Sequence, residues 1–584
     1  MEYLLTAAEM AQADKVTSEE IGIPSLVLME RAALGIAQAV REDFSSPGPR
    51  ARCAVVAGKG NNGADAVAAG RMLVDAGYEV LFFLVTRDGV LPVIGEETRK
   101  EVSVDFPMRH PASLDRADAG ASWHIDAGER RAAAQGTGEV SPRPAKAPES
   151  AMDTQLKIIR AYGLEPRLFT QSDFVEYRPD IILDGLFGTG LSREVGEPFA
   201  GAIRLINQAR DGIGSRVYSV DIPSGVDGTT GQIMGCAVQA DVTVTFAYYK
   251  RGHFLYPGCR NCGKVIRREI GITGRSLSSM PGMFTYRGER AEDLLPARSG
   301  AGNKGTFGKV LVAAGSKGVS GACTMCAQAV LRTGAGMVKV FTHEDNRVIL
   351  QETVPEAMCR TYTDAESSDP SGVILEELRE DLAWADVAAI GPGLGINEIT
   401  RDLLVAVLDY AAAGGSRADD PAADCRRFGL VIDADAIRLI AQYNLYEHLR
   451  AAGRAARVIL TPHMAECAAL FHMSVSALKT QRWERAKEFA DLYACTLCLK
   501  DARTLIASND SAQMYLNTSG NDGLSTAGSG DILTGVTAAC LAQGMEPFPA
   551  ACAASYLHGC AAEALTQTIP RRALMATDLI AALS

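Results

Sequence analysis

The sequence has no apolar run near the ~20 residues that span a bilayer, and no excess of positive charge. With a net charge of −12, a broad nucleic-acid surface is excluded. Any phosphate must then be bound locally, by backbone N–H groups and helix N-termini. Also missing is the basic start and continuous apolar core of a signal peptide. The opening MEYLLTAAEMAQADK reads instead as an amphipathic helix, with Thr6 and Glu9 at capping-box spacing. A cytoplasmic placement is therefore expected. Three CxxC pairs occur (Cys259/Cys262, Cys323/Cys326 and Cys495/Cys498), but they are too far apart to make a zinc ribbon. Buried or free thiols are expected. No repeat of solenoid length is found.

What is present fits an α/β protein of more than one domain. The 584 residues exceed what one core accommodates. Many of the 57 glycines stand at the ends of apolar runs. CAVVAG (53–58), EVLFFLVT (79–86), DIILDGLFG (180–188), RVYSVDIPSG (216–225) and ADVTVTFAY (240–248) are strand candidates separated by helix-length segments. Continuous apolar runs of this kind belong to parallel sheets covered on both faces. A second series follows at 309–315, 337–342, 386–395, 430–437, 457–462, 496–501 and 504–508. Segments 112–148 and 414–427 read as surface loops without period. The weakly patterned 275–300 reads as the junction, giving domains at 1–275 and 290–584.

Chemistry is concentrated at strand ends. CAVVAG runs into Gly58-Lys59-Gly60-Asn61-Asn62-Gly63-Ala64-Asp65, formally a G-x-G-x-x-G turn. The next strand, however, ends in Val85-Thr86-Arg87, without the usual ribose-binding acid. Two further strands end in DGLFGTGL (184–191) and DIPSGVDG (221–228). In an open parallel sheet these three loops converge at the carboxyl edge. Their Asn, Asp and Ser oxygens suit an alkali or alkaline-earth cation.

These loops, with GIPSLVLMERA at 22–32, resemble the NAD(P)H-hydrate epimerase family over nearly all of residues 1–275. The resemblance implies a Rossmann-like three-layer fold, interconversion of the R and S epimers of hydrated NADH or NADPH, and a bound K+. It places Asn62, Asp184 and Ser224 on the potassium. Substrate contacts fall to Asn61, Asn62, Gly63, Ala64 and Asp65, to Gly188, Thr189, Gly190, Leu191, Ser192, Arg193 and Glu194, and to Asp221. Asp221 is the implied acid/base. Where the family has Gly-Gly-Asp this chain has Gly63-Ala64-Asp65, and the extra methyl is expected to crowd the backbone approach.

In the second half, Gly528-Ser529-Gly530-Asp531 opens a helical stretch. Small residues at a helix start let N–H groups face an anion. A carboxylate there suits proton abstraction from a hydroxyl that reacts at phosphorus. A lone His is more often a core residue, but His463 follows a strand and Pro462 and precedes a helix, which marks it as a site residue. Asp433 and Asp435 in VIDADAI read equally well as loop caps or site groups.

Residues 300–584 resemble the ADP- or ATP-dependent NAD(P)H-hydrate dehydratase family, which has a ribokinase-like α/β fold. Asn303-Lys304-Gly305, Gly308-Lys309, Gly321-Ala322, Arg332 to Gly336, Gly391 to Gly395, Thr461-Pro462-His463 and Gly528 to Asp531 carry the likeness. It implies that Ala322, Gly393, His463 and Asp531 contact the hydrated nucleotide. Lys500, Asp501, Ala502, Arg503, Thr504 and Gly530 would hold ADP or AMP, with Mg2+ on the phosphates and Asp531 as base. Lys500-Asp501 replaces the family's Lys-Gly, and the added carboxylate is expected to alter nucleotide binding.

Together the halves imply a bifunctional repair enzyme acting on NADHX and NADPHX at the expense of ADP or ATP. It would have no nucleic-acid or membrane partner, and a homo-oligomer is expected. The alternatives are a ribokinase-like small-molecule kinase and a non-catalytic N-terminal binding module.

Overall fold

A computed structural model describes residues 1–44, 51–92, 150–363, 373–415 and 427–583 of the chain. The expected loop at 112–148 and most of the one at 414–427 lie outside the described residues. In chain order the strands are β1 (Glu2–Leu5), β2 (Arg52–Ala57), β3 (Glu79–Leu84), β4 (Arg167–Leu168), β5 (Ile181–Gly185), β6 (Arg216–Val220) and β7 (Val242–Phe246). Then come β8 (Tyr249–Lys250), β9 (Lys264–Arg268), β10 (Met283–Thr285), β11 (Lys309–Ala313), β12 (Met337–His343), β13 (Met358–Tyr362) and β14 (Val387–Ile390). The last are β15 (Gly429–Ile432), β16 (Arg457–Leu460), β17 (Thr496–Leu499), β18 (Leu505–Ser508) and β19 (Met514–Leu516).

Seven strands form one parallel sheet in the order β4-β3-β2-β5-β6-β7-β9. On β2, Cys53, Val55 and Ala57 enter one apolar cluster while Ala54 and Val56 enter another. Alternate side chains therefore bury both faces, and the run reads as continuously apolar. The same logic splits β11, with Val310 and Val312 on one face and Leu311 and Ala313 on the other. Rossmann-like and ribokinase-like α/β layers result, as expected. The order reverses at β2/β5 in the first sheet and at β11/β14 in the second. Those switch points are where crevices open at strand carboxyl ends.

The second sheet runs β13-β12-β11-β14-β15-β16-β17-β18-β19-β10-β1-β8. Its far edge is thus built by residues of the first half and of the expected junction. Glu2 and Tyr3 pair antiparallel with Thr285 and Phe284, and Leu4 and Leu5 pair parallel with Tyr249 and Lys250. Within the weakly patterned 275–300, Met283–Thr285 is a strand docked on β19. Three residues are too few to show a period, and only distant pairing fixes them. The N-terminal helix is Ala7–Lys15, with Thr6 Oγ1 accepting Glu9 N–H at 3.1 Å and Glu9 Oε2 accepting Thr6 N–H at 2.7 Å. The residues before that cap are strand, not helix. The described cysteines form no disulfide. No helix among the described residues is long and apolar enough to cross a membrane.

Candidate functional site

Beyond β2 the chain turns through Gly58-Lys59-Gly60 into the helix Asn61–Asp75. Gly63 is required there, since a Cβ would lie 2.0 Å from the Gly58 carbonyl oxygen. A cavity of about 860 Å³ opens above this turn. Asn61, Asn62 and Asp65 line it, as do all of Gly188 to Glu194 and Asp221. Two expected contacts do not. Gly63 and Ala64 are buried beneath, and the Ala64 methyl belongs to the apolar cluster under the helix. The methyl faces the core, so it crowds no ligand. Ala64→Gly should accordingly lower stability by roughly 0.5–1 kcal/mol in thermal melts and leave ligand affinity unchanged.

Asp184 and Ser224 lie behind the lining residues Asn62 and Phe187, which tie them to the cavity wall. The fully buried Asp184 carboxylate accepts Ser219 Oγ at 2.7 Å and, from Ser224, the backbone N–H at 2.9 Å and Oγ at 2.5 Å. Burial pushes this carboxyl up, with the Ser224 and Ser219 hydrogen bonds working against it. Asn62 Nδ2 donates to the Phe187 carbonyl at 2.9 Å, and Phe187 N–H donates to Ser224 Oγ at 2.9 Å. The cluster contains one carboxylate, with neutral hydroxyl, carbonyl and amide groups around it.

Asp221 follows β6 with φ +64°, a region a non-glycine residue enters only when its surroundings impose it. Its N–H donates to Val244 O at 2.8 Å, and its carbonyl accepts His253 Nε2–H at 2.8 Å. Oδ1 accepts Thr245 Oγ1 at 3.0 Å, Phe246 N–H at 3.4 Å and the buried Lys250 ammonium. His253 Nδ1 accepts the Lys250 N–H at 3.1 Å, so the ring proton sits on Nε2. Burial, then the Lys250 charge, lower His253 to about 4 and keep it neutral. The sequence reading missed Lys250 and His253. Their signal was a Lys and a His just past the strand VTVTF, the position already prized in the other loops.

In the second half, Ser316 N–H donates to Gly393 O at 2.6 Å and Gly315 N–H to Pro392 O at 2.9 Å, tying the loops after β11 and β14. Gly393 has φ +56°, and a Cβ there would come within 2.8 Å of the Ala322 methyl. Ala322 and Gly393 are thus neighbours at the switch point. Asp531 lies in the first turn of the helix Ser529–Ala542, which Gly528 enters at φ +90°. Burial lifts its carboxyl to about 6, with Asp433 adding and Lys500 opposing.

Asp433 proves to be the hub. It is 1% exposed, receives Lys500 Nζ on Oδ1 at 2.7 Å and receives Thr534 Oγ1 on Oδ2 at 2.7 Å. Its side chain makes no capping bond, so the cap reading does not hold for it. Asp435 instead accepts Gly395 N–H at 2.9 Å. A Cβ on Gly530 would stand 3.4 Å from Lys500 Nζ, so those two are adjacent. Lys500 N–H also donates to Pro462 O at 2.8 Å, which sets it beside His463. His463 Nδ1 accepts the Ala465 and Glu466 N–H groups as a helix cap. Its Nε2 meets Glu466 Oε1 at 3.2 Å, and the ring is 55% exposed.

The remaining expected nucleotide residues diverge. Asp501 pairs with Arg482 at 3.2 Å, and Thr504 Oγ1 donates to Asp501 O at 3.4 Å. Ala502 is exposed. Arg503 Nε donates to Phe254 O at 3.1 Å, and the guanidinium lies 5.6 Å from the Tyr256 ring, both in the first half. The structure therefore joins Lys500 to Gly530 and Asp531 but commits Arg503 to the seam between the two halves.

A cavity at one parallel-sheet switch point and a cluster of charged groups near the other, each with a carboxylate beside a glycine-rich helix start, mark two candidate sites in a two-part α/β enzyme. A family model described as NAD(P)H-hydrate dehydratase matches residues 310–584, and one described as YjeF-related protein N-terminus matches residues 25–101 and 131–252. The bifunctional NAD(P)H-hydrate repair enzyme of Moorella thermoacetica is 33% identical, covering 99% of this chain and 95% of the relative. That of Escherichia coli is 28% identical, covering 99% and 92%. A solved ADP/ATP-dependent NAD(P)H-hydrate dehydratase from Bacillus subtilis, co-crystallized with ATP/Mg2+, is 30% identical and covers 50% of this chain and 93% of its own, with a TM-score of 0.40. The chain belongs to the bifunctional NAD(P)H-hydrate repair enzyme family.

Proposed function

We propose that the first half interconverts the R and S epimers of NADHX and NADPHX, and that the second removes water from the S form at the expense of ADP, releasing AMP and phosphate. The observation that carries this is Asp531. A carboxyl lifted to about 6 beside the Lys500–Asp433 pair, at a helix N-terminus, can take a proton from the ring hydroxyl while that hydroxyl attacks phosphorus. Lys500 faces Gly530 and supplies positive charge to the phosphates, while Asp433 fixes its position. Mg2+ on the nucleotide would neutralise charge on the transferred phosphoryl group. His463 and Gly393 border the same crevice and would contact the hydrated ring.

In the first half Asp221 is the acid/base, anchored through Oδ1 by Lys250 and Thr245. Asn62, Asp184 and Ser224 would hold K+. Their fit rests on one buried carboxylate beside the Ser224 hydroxyl and the Phe187 carbonyl, hard oxygens that suit a cation of low charge.

A mixed R/S pool of NADHX, incubated with either nucleotide and Mg2+, should be consumed completely, with recovery of the reduced-nicotinamide absorbance. Consumption that stops when the S epimer is exhausted would sink the epimerase assignment. A phosphorylated product accumulating in place of NADH would instead favour a kinase.

A further inference from the structure

The first cavity carries two carboxyls to which the reading above gives no part in proton transfer. Asp65, on the helix Asn61–Asp75, and Asp14, on the helix Ala7–Lys15, both line it together with Asp221. Asp221 is anchored as an acceptor by three donors, one of them the Lys250 ammonium. Asp65 makes no side-chain hydrogen bond or ion pair among the described residues. Burial pushes its carboxyl well above the usual range, and the charges of Asp221 and Asp14 push it further. Asp14 is raised for the same reasons, burial first and Asp221 second. Lys59, Arg87, Arg193, Glu194 and Glu197 line the same cavity, with Lys59 paired to Asp88 at 3.3 Å and Glu197 to Arg204 at 2.5 Å. Lys250 is taken by Asp221, and Glu30 on the neighbouring helix Ser25–Asp43 is paired with Arg71 at 2.6 Å. Two carboxyls in one cavity, one held by three donors and one without a partner among the described residues, are placed to divide the work of acid and base.

We propose that Asp65 is a second catalytic residue of the epimerisation, the proton donor that complements Asp221 as acceptor, so that water leaves one face of the nicotinamide ring and returns to the other. The proposal rests on the epimerase reading of this cavity. Asp65 gives its proton to the hydroxyl oxygen on the ring carbon next to the ring nitrogen. The C–O bond breaks and its electron pair departs with the oxygen as water, while the nitrogen lone pair forms a C=N bond. A water on the opposite face then forms the new C–O bond, yields a proton to Asp221 and returns the C=N electrons to nitrogen. One proton has passed from Asp65 to Asp221. The site is then poised for the reverse direction, and exchange with solvent resets it.

The test uses the full-length protein with R-NADHX and resolves the two epimers chromatographically. Asp65→Asn should lower kcat for R-to-S conversion by about 10²-fold or more with KM little changed, erase the alkaline limb of the pH profile, and retain dehydration of S-NADHX. Asp65→Glu should restore part of the rate. Asp14→Asn should move the alkaline limb to lower pH, because Asp65 loses a like-charged neighbour. In water enriched in heavy oxygen, each turnover should place solvent oxygen on the ring. A raised KM with kcat intact in Asp65→Asn would make Asp65 a binding group only and overturn the proposal, as would retention of the original oxygen. If the unsubstituted protein converts no R epimer, the epimerase reading itself falls and takes the proposal with it.

Discussion

Replacing Asp531 by Asn lowers kcat for dehydration of S-NADHX by about 10²–10⁴-fold and leaves the KM for ADP close to that of the unsubstituted protein. The amide has the shape of the carboxylate but cannot take the proton of the ring hydroxyl. Because burial, with Asp433 behind it, raises this carboxyl from 3.8 to about 6, the pH profile carries the same signature. A base must be ionised, so the unsubstituted rate should climb as pH rises through about 6 and then level, while the residual Asn rate stays flat across that window. The effect on stability has the opposite sign. A folded-state value above the unfolded one means the native chain holds its proton longer, so this group favours folding most below about 3.8 and loses that contribution as pH rises through about 6. At neutral pH the unsubstituted protein carries the strain of a half-buried charge that Asn lacks. The melting temperature of Asp531→Asn at pH 7 should therefore equal or exceed that of the parent. An inactive variant with a lowered melting temperature would instead point to a structural role.

The buried sheets were legible in the sequence because parallel strands covered on both faces write themselves as unbroken apolar runs. Arg52–Ala57 and Lys309–Ala313 are examples, and the polar loops at their carboxyl ends were legible for the same reason. Short strands were not. β8 and β10 have two and three residues and owe their existence to Leu5, Lys250, Phe284 and Tyr515 meeting across hundreds of positions. Single polar residues were harder still. Asp433 could be read as a cap or as a site group because what decides between them, Lys500 and Thr534, lies 67 and 101 positions away. Ala64 looked like an intrusion into a binding loop. The helix phase that turns its methyl into the core becomes visible only once the helix is known to begin at Asn61. Arg503 shows the converse. Resemblance placed it on a nucleotide, and no local pattern foretold the hydrogen bond it donates to the Phe254 carbonyl 249 positions away.

Lys500→Met should destabilise the protein by about 3–5 kcal/mol. Asp433 is 1% exposed and Lys500 is 19% exposed at the side chain, with 2.7 Å between their charged atoms. Burial pulls the Lys500 ammonium down, but Asp433 and Glu466 pull it up by more, so it remains the cation of a largely acidic pocket. Removing it leaves the Asp433 carboxylate with only the Thr534 hydroxyl as donor, a buried charge without compensation. Asp531 and Glu466 also lose the charge that opposed their burial, so the acid limb of whatever dehydration survives should move to higher pH. Adding Asp433→Asn to Lys500→Met removes both charges and keeps an amide oxygen for Thr534. Most of the lost stability should return, because a pair replaced whole costs far less than a pair broken. Activity should not return, since Lys500 is also the positive group beside Gly530 where the phosphates are proposed to lie. Denaturant melts of the parent, the two single variants and the double variant measure the coupling directly. A loss below about 1 kcal/mol in Lys500→Met would show that water already reaches the pair. Recovery of activity along with stability in the double variant would show that Lys500 maintains the fold rather than the phosphate site.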